Sequence, residues 1–299
     1  ARECLATLLS SSCTLRYTTV ASRSGTCPSL TLSSATTVSA GMLKLGAANV
    51  IPDGVGKGDV SVTGTLDLNT FSETINGLSG AGAVDNTAAG TPTLTVGGND
   101  ATSSFSGAIQ NTAGTLALTK TGSGTLTLSG ANTYTGKTSI QAGTVSVGSL
   151  NSVTGGGASS NLGAPTTAGN GTIDLGSGTT TGTLLYTGTG ETTDRVINLA
   201  GTTGGGTIDQ SGTGLLKFTS AFTATGAGSK TLTLQGSTAG TGEIAGAIVD
   251  NSGANTTALT KTGSDTWTLS GANTYSGGTT LTAGTLRAQT DAAALGTGT

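Results

Sequence analysis

The sequence contains no histidine among its 299 residues. Ser-His-Asp and Cys-His catalytic pairs are thereby excluded, because both need an imidazole to take up and return a proton. Charge is scarce as well: 12 Lys and Arg stand against 15 Asp and Glu, 9% of the chain, for a net charge of −3. The cations are scattered, so no basic stripe can neutralise several phosphates, and no nucleic-acid partner is expected. Aromatic residues make up 3%, less than a compact globular core of this size leans on. The helix formers Glu, Lys, Arg, Gln and Met are sparse. No apolar run approaches the ~20 residues of a membrane helix, so this chain is not expected to insert into a bilayer. The start, ARECLATLLSSSC, lacks a basic stretch followed by a clean apolar one. With Ala1 first and the single Met at position 42, the chain reads as a processed product or a piece of something longer.

The three cysteines, Cys4, Cys13 and Cys27, all fall in the first 27 residues. They allow one intramolecular disulfide with a free thiol left over, or a link between neighbouring chains. Their irregular spacing, without His, does not make a zinc pattern, and no metal or other cofactor is expected. Residues 1–40 hold these cysteines with Arg2, Arg16, Arg23 and few Gly. Strand-like patches lie at 14–20 and 30–32, and the segment reads as an N-terminal cap or an atypical first coil.

What the chain does have is 52 Gly and even more Thr, arranged around short apolar runs. Disordered chains are also rich in small polar residues, but they lack alternating hydrophobics. Here 34% of residues are hydrophobic, and they alternate with Thr or Ser, as in Leu126-Thr127-Leu128 and Leu232-Thr233-Leu234. That period of two buries one face of a strand and wets the other. Strands are expected at 42–45, 59–62, 65–68, 93–96, 115–119, 125–128, 138–141, 144–147, 172–175, 183–186, 196–199, 215–218, 231–234, 266–269 and 279–287. No ten-residue helical pattern is found. The tract 155–160 is the most loop-like and suits a longer excursion.

Residues 118–147 return at 259–288, 141 positions on, with 20 of 30 positions identical. Repetition at a fixed interval points to stacked coils. Looser echoes, such as 105–109 against 244–248, sit at slightly different offsets, as turns of varying length would produce. Few strands are bracketed by the two-residue turns of hairpins. The expected fold is all-β, a right-handed parallel β-helix or β-solenoid over 41–299. At ~22 residues and ~4.8 Å per coil this is roughly a dozen coils, on the order of 13 over all 299 residues in a rod near 65 Å.

The segments GTLTLSGANTYTG (124–136) and DTWTLSGANTYSGG (265–278) resemble the autotransporter-associated β-strand repeat, with Gly143-Thr144-Val145 and Gly284-Thr285-Leu286 as its tail. GTLDLNTFSETINGLSGAG (64–82) and LYTGTGETTDRVINL (185–199) are similar to companion elements of the same large proteins. The resemblance implies a secreted right-handed parallel β-helix displayed outside a bacterial cell, in a stalk, adhesin or surface layer. It carries over no catalytic residue.

Four motifs could carry chemistry. Ala131 to Thr138 fits a permissive phosphate-loop pattern through Gly136-Lys137-Thr138. A strand pattern follows it rather than the helix that such a loop opens, and the second copy has Gly278 in place of Lys. Glu191, Asp194, Arg195 and Asp209 form the densest charged set, suited to acidic-polysaccharide cleavage or to a solvated loop. Gly205-Gly206-Thr207-Ile208-Asp209 is a single poor match to a calcium-binding turn. Tyr134 and Tyr275 could stack on glycans if exposed or fill a corner of the coil if buried, and Trp267, at the place of Leu126, reads as a core filler.

The function expected first is a non-enzymatic structural β-solenoid on a bacterial surface, a stalk or filament subunit that associates with itself end to end as a homopolymer. An adhesin that binds surface glycans is the alternative, and a polysaccharide-cleaving enzyme comes third. The expected location is extracellular or on the cell surface.

Overall fold

The computed structural model describes residues 35–155, 158–237, 239–289 and 292–298. The cysteines and the strand patches at 14–20 and 30–32 lie outside the described residues. Every ladder between named strands is parallel, in sheets of three, four, five, seven and eight strands. Antiparallel contact is confined to isolated bridges such as Asn132 with Ser160. The chain is a β-solenoid of about 10 turns, wound with the right hand that parallel crossovers take.

Three walls enclose the core. The first starts with Thr36–Val38, Val60–Val62 and Leu78–Ser79, then passes through a Gly80–Phe105 bridge into the eight-stranded sheet. The second starts with Met42–Lys44, Thr65–Asp67, Ala83–Asp85 and Ala108–Ile109 and resumes at Glu191–Thr193 in the five-stranded sheet. Between these two stretches Asn132 to Tyr134 lie on Ile109 without forming a named strand. The third wall is the seven-stranded sheet from Glu73–Ile75 to Thr223–Ala224.

Alternation decides which residues fill the middle. In the seven-stranded sheet the inward row reads Val96, Lys120, Ile140, Leu175, Leu199, Ala224. In the eight-stranded sheet it reads Leu126, Val145, Leu184, Ile208, Leu234, Lys261, Leu281. The outward neighbours of that row are Thr125, Thr144, Thr183, Thr207, Thr233, Thr260 and Thr280, one hydroxyl per coil. Burying a Val, Leu or Ile side chain contributes about 1.5–3 kcal/mol, and each coil supplies several.

Coil length departs from the expected ~22 residues. Gly182 pairs with Gly206, a step of 24, whereas Gly143 pairs with Gly182, a step of 39. Other steps run as short as 18, from Val60 to Leu78, so it is the one large step that takes up most of an extra coil, and the structure holds about 10 turns. The large step holds the excursion expected around 155–160, together with a four-residue helix, Ala168–Gly171, capped by Thr167. The run 279–287, read from sequence as one strand, divides into Thr279–Leu281 and Thr285–Ala288. Gly284, at φ +71°, turns the chain from the first wall to the second between them.

Candidate functional site

The charged set singled out from sequence separates into two places. Glu191, Asp194 and Arg195 sit at and just after the strand Glu191–Thr193, beside the excursion. The Glu191 carboxylate accepts hydrogen bonds from the backbone N–H of Leu150 (2.6 Å) and Asn151 (3.1 Å). Asp194 accepts from Val153 (2.6 Å) and Thr154 (2.8 Å). Arg195 is fully buried. Its Nε donates to the Gly171 carbonyl at 2.9 Å, and one terminal nitrogen donates to Leu162 (2.7 Å) and Leu150 (3.3 Å). The other terminal nitrogen has no hydrogen-bond partner. One guanidinium thus gathers three carbonyls of a segment that has no strand ladder of its own, which satisfies backbone groups otherwise buried without partners.

Burial pushes the Glu191 carboxyl upward, against the pull of its two N–H partners. Burial also acts to raise Asp194, but the hydrogen bonds from Thr154 and Val153 outweigh it and hold the group below the usual carboxylate range. Burial depresses Arg195, opposed by Tyr134, Glu191 and Asp194. The three side chains are committed to fastening the excursion onto the column. Most of their hydrogen bonds run to backbone groups of the excursion.

Asp209 belongs elsewhere, on the outer side of the strand Gly206–Gln210. It accepts from Ser211 Oγ (2.5 Å) and from Gln235 Nε2 (2.7 Å), its neighbour on the next coil. With Ser237, Thr262 and Ser264 these residues line an open depression of about 410 Å³. The residues Gly206 to Asp209, read as a turn, lie in that strand, and no group of three His, Cys, Asp or Glu residues suited to a metal occurs among the described residues.

The phosphate-loop pattern dissolves in the fold. Lys137 pairs with Asp174 at 2.6 Å, and Thr138 is a buried strand residue. A side chain on Gly136 would collide with the Leu116 carbonyl at 2.2 Å, so this glycine permits close packing of coils rather than a cradle for an anion. Tyr134 and Tyr275 are fully buried, each with its hydroxyl on a threonine four residues on: Thr138 at 2.8 Å and Thr279 at 2.6 Å. Burial lifts the Tyr134 phenol to about 12. Neither ring is free to stack on a sugar. Trp267 is buried too, with its inward row completed by Leu216, Gly242 and Leu286.

Sequence reading missed the polar groups that hold the two copies in shape. Asn132 Oδ1 accepts from the Ile109 N–H at 2.7 Å, and its amide donates to Asn161. Asn273 does the same with Ile248 at 2.8 Å and donates to Ala294. Lys120 and Lys261 occupy aliphatic positions in their inward rows and turn their ammonium groups onto turn carbonyls, Thr121 and Gly122 in one copy and Thr262 and Gly263 in the other. The clue was present in the shared KTGS and GANTY strings. Their residue types alone did not say that Lys and Asn would point inward.

Residues 118–147 and 259–288 match the passenger-associated-transport-repeat family. The two segments are passenger-associated transport repeats. Around these repeats the chain is 34% identical over 237 residues to an adhesin, the BmaC autotransporter of Brucella suis biovar 1 (strain 1330). The match takes in 78% of this chain and spans 7% of the length of that relative. No solved structure matches.

Proposed function

We propose that this repeat-bearing chain is a length of rod from a bacterial surface adhesin of the autotransporter kind, with a mechanical and contact-making role rather than a catalytic one. The observation that carries the reading is the column of stacked parallel coils. Among the described residues the first wall continues from Thr36 to Leu281, with an inward aliphatic row and an outward threonine row in its eight-stranded sheet, and the densest charged cluster is used to hold a segment onto that column. The adhesin relative supports the reading, since its likeness covers most of the chain. Such a rod is displayed outside the cell, where its outward hydroxyl and amide groups face partners.

The purified chain should scatter as an elongated particle, with a long axis of about 50 Å for the described coils at ~4.8 Å each. Displayed on a non-adherent bacterium, it should raise attachment to epithelial cells. A spherical particle, or attachment equal to that of bacteria bearing an unrelated rod, would remove the proposal. Direct glycan contact is a second reading, favoured by the depression at Asp209 and Gln235. Asp209→Ala and Gln235→Ala should then abolish signals on a glycan array that the parent chain gives.

A further inference from the structure

The buried lysines of the two repeat copies differ in one partner. Lys120 and Lys261 hold the same place in the repeat, and both rest their amino groups on turn carbonyls. Of the two, Lys261 also faces a carboxylate within its own turn. Its Nζ lies 2.7 Å from Asp265 Oδ1, with both side chains 0% exposed, where the first copy has Gly124. The pair spans the corner Thr262-Gly263-Ser264, between Thr257–Lys261 of the first wall and Thr266–Leu269 of the second. Neighbouring coils close over it with glycines. A Cβ on Gly236 would lie 2.6 Å from Asp265 Oδ2, and one on Gly284 would lie 2.7 Å from Lys261 Nζ.

This environment is a poor one for two charges. Apart from the lysine contact, neither carboxylate oxygen has a hydrogen-bond partner among the described residues. A buried ion pair offsets its desolvation only when its remaining lone pairs are satisfied, and an under-satisfied one is driven toward its neutral form. Burial raises the Asp265 carboxyl accordingly, against the pull of Lys261. Moving one proton from Nζ to the carboxylate leaves a neutral amine in contact with a carboxylic acid. The two remaining N–H groups serve the carbonyls of Thr262 and Gly263 (3.3 Å), with Ala283 more distant at 3.4 Å. The nitrogen lone pair is then left for Asp265. A desolvated lysine amine is a nucleophile, and holding it at contact distance from its electrophile removes the entropic part of the barrier.

We propose that Lys261 and Asp265 become joined by an amide bond between Nζ and Cγ, an intramolecular crosslink formed by the folded chain itself. The Nζ lone pair adds to Cγ, and the bond from Cγ to one carboxyl oxygen breaks. That oxygen leaves as water with two of the three ammonium protons, and the third proton stays on the amide nitrogen. No oxidant, reductant or co-reactant takes part. The closed core favours the amide in two ways. It excludes the water that would reverse the step, and it exchanges two buried charges for one neutral group. The product fastens the corner between two walls in the second repeat copy. The first copy, with Lys120 and Gly124, stays unlinked and serves as a control within the same chain.

The test is the intact mass of the soluble, folded full chain, measured under a reducing agent so that the cysteines do not contribute. It should be lighter than the sequence by one water molecule, while chain collected unfolded should carry the full mass. Digested with trypsin after denaturation, the folded chain should be cut after Lys120 and not after Lys261, and fragmentation should place the lost water between Lys261 and Asp265. Asp265→Asn should lose ammonia instead and arrive at the same mass as the crosslinked parent. Lys261→Met should lose nothing. A folded parent of full mass that is cut after Lys261, or a water lost at Asp53-Gly54 instead, overturns the proposal. That measurement needs only the parent chain, so it decides the matter even where a variant does not fold.

Discussion

The two repeat copies are alike in sequence and in local geometry, yet they lie on different walls. In the first, Ala117–Lys120 belongs to the seven-stranded sheet and Thr125–Leu128 to the eight-stranded one. In the second, Thr257–Lys261 belongs to the eight-stranded sheet and Thr266–Leu269 to the five-stranded one. Five pairing steps lead from Thr125 through Thr144, Thr183, Thr207 and Thr233 to Thr260, and one further wall separates the copies. The interval of 141 residues therefore covers five and one-third turns. The repeat encodes an arc, a strand–turn–strand unit with its lysine, asparagine and tyrosine anchors, and is indifferent to which wall receives it. What differs between the copies is ten of the thirty residues and the coil on either side.

Trp267 gives the largest expected break in this equivalence. It stands where the first copy has Leu126, and its cross-coil neighbour is Gly242 where Leu126 has Ser103. A Cβ on Gly242 would approach the indole to 2.4 Å, so the glycine is what admits the larger ring. Trp267→Ala should cost about 4 kcal/mol in denaturant unfolding, as large aromatic deletions from cores do. Gly242→Ser should be severe alone and mild when combined with Trp267→Leu, which restores the first copy's pairing. Two additive penalties would show that the copies are not interchangeable at this level.

Asp265 breaks the equivalence in charge. Lys261 is paired with Asp265 at 2.7 Å, both side chains fully buried, whereas position 124 of the first copy is Gly. Burial raises the Asp265 carboxyl, with the lysine pulling against it. Asp265→Gly copies the first repeat into the second and leaves a buried ammonium with carbonyls alone, an expected loss of about 3 kcal/mol. The reverse change fails for a different reason: a Cβ on Gly124 would lie 2.3 Å from the Ala101 carbonyl. An Asp265→Gly variant as stable as its parent would mean that turn carbonyls satisfy Lys261 unaided, as they do Lys120.

These particulars mark how far the sequence could be read. The alternation of Leu126-Thr127-Leu128 announces a strand with one wet face, and the copied block announces coils, so the parallel solenoid was legible. Strands such as Glu73–Ile75, Ala83–Asp85 and Glu191–Thr193 were not singled out, because they are short and take their pairing from the coil beneath rather than from their own propensity. The wall assignment of each copy was hidden as well. It depends on the summed length of intervening turns, and the 39-residue step at Gly143 to Gly182 has no periodic signature. For the candidate site, composition favoured a solvated loop at Glu191, Asp194 and Arg195. The structure instead buries the arginine as a carbonyl clamp, an arrangement set by a backbone excursion that residue types do not describe.

The smallest expected effect is a pH dependence set by Lys120. Lys120 lies between Val96 and Ile140, and burial depresses its ammonium to about 8, with Asp100 pulling the other way. The unfolded chain holds that proton up to about 10.5. Between these values the unfolded state binds more protons than the folded one, so stability rises with pH across that window. Below about 8 both states are protonated, and the penalty for a buried charge is present in full. Denaturant midpoints measured from pH 7 to 10 should therefore climb in the parent chain, after allowance for tyrosine ionisation, and climb less in Lys120→Met. Methionine fills the same inward row without a charge, and it should raise the midpoint most at pH 7. A midpoint that stays flat or falls in the parent, or a Lys120→Met chain less stable at pH 7, would show that the Thr121 and Gly122 carbonyls outweigh desolvation and that the lysine is a net anchor of the arc.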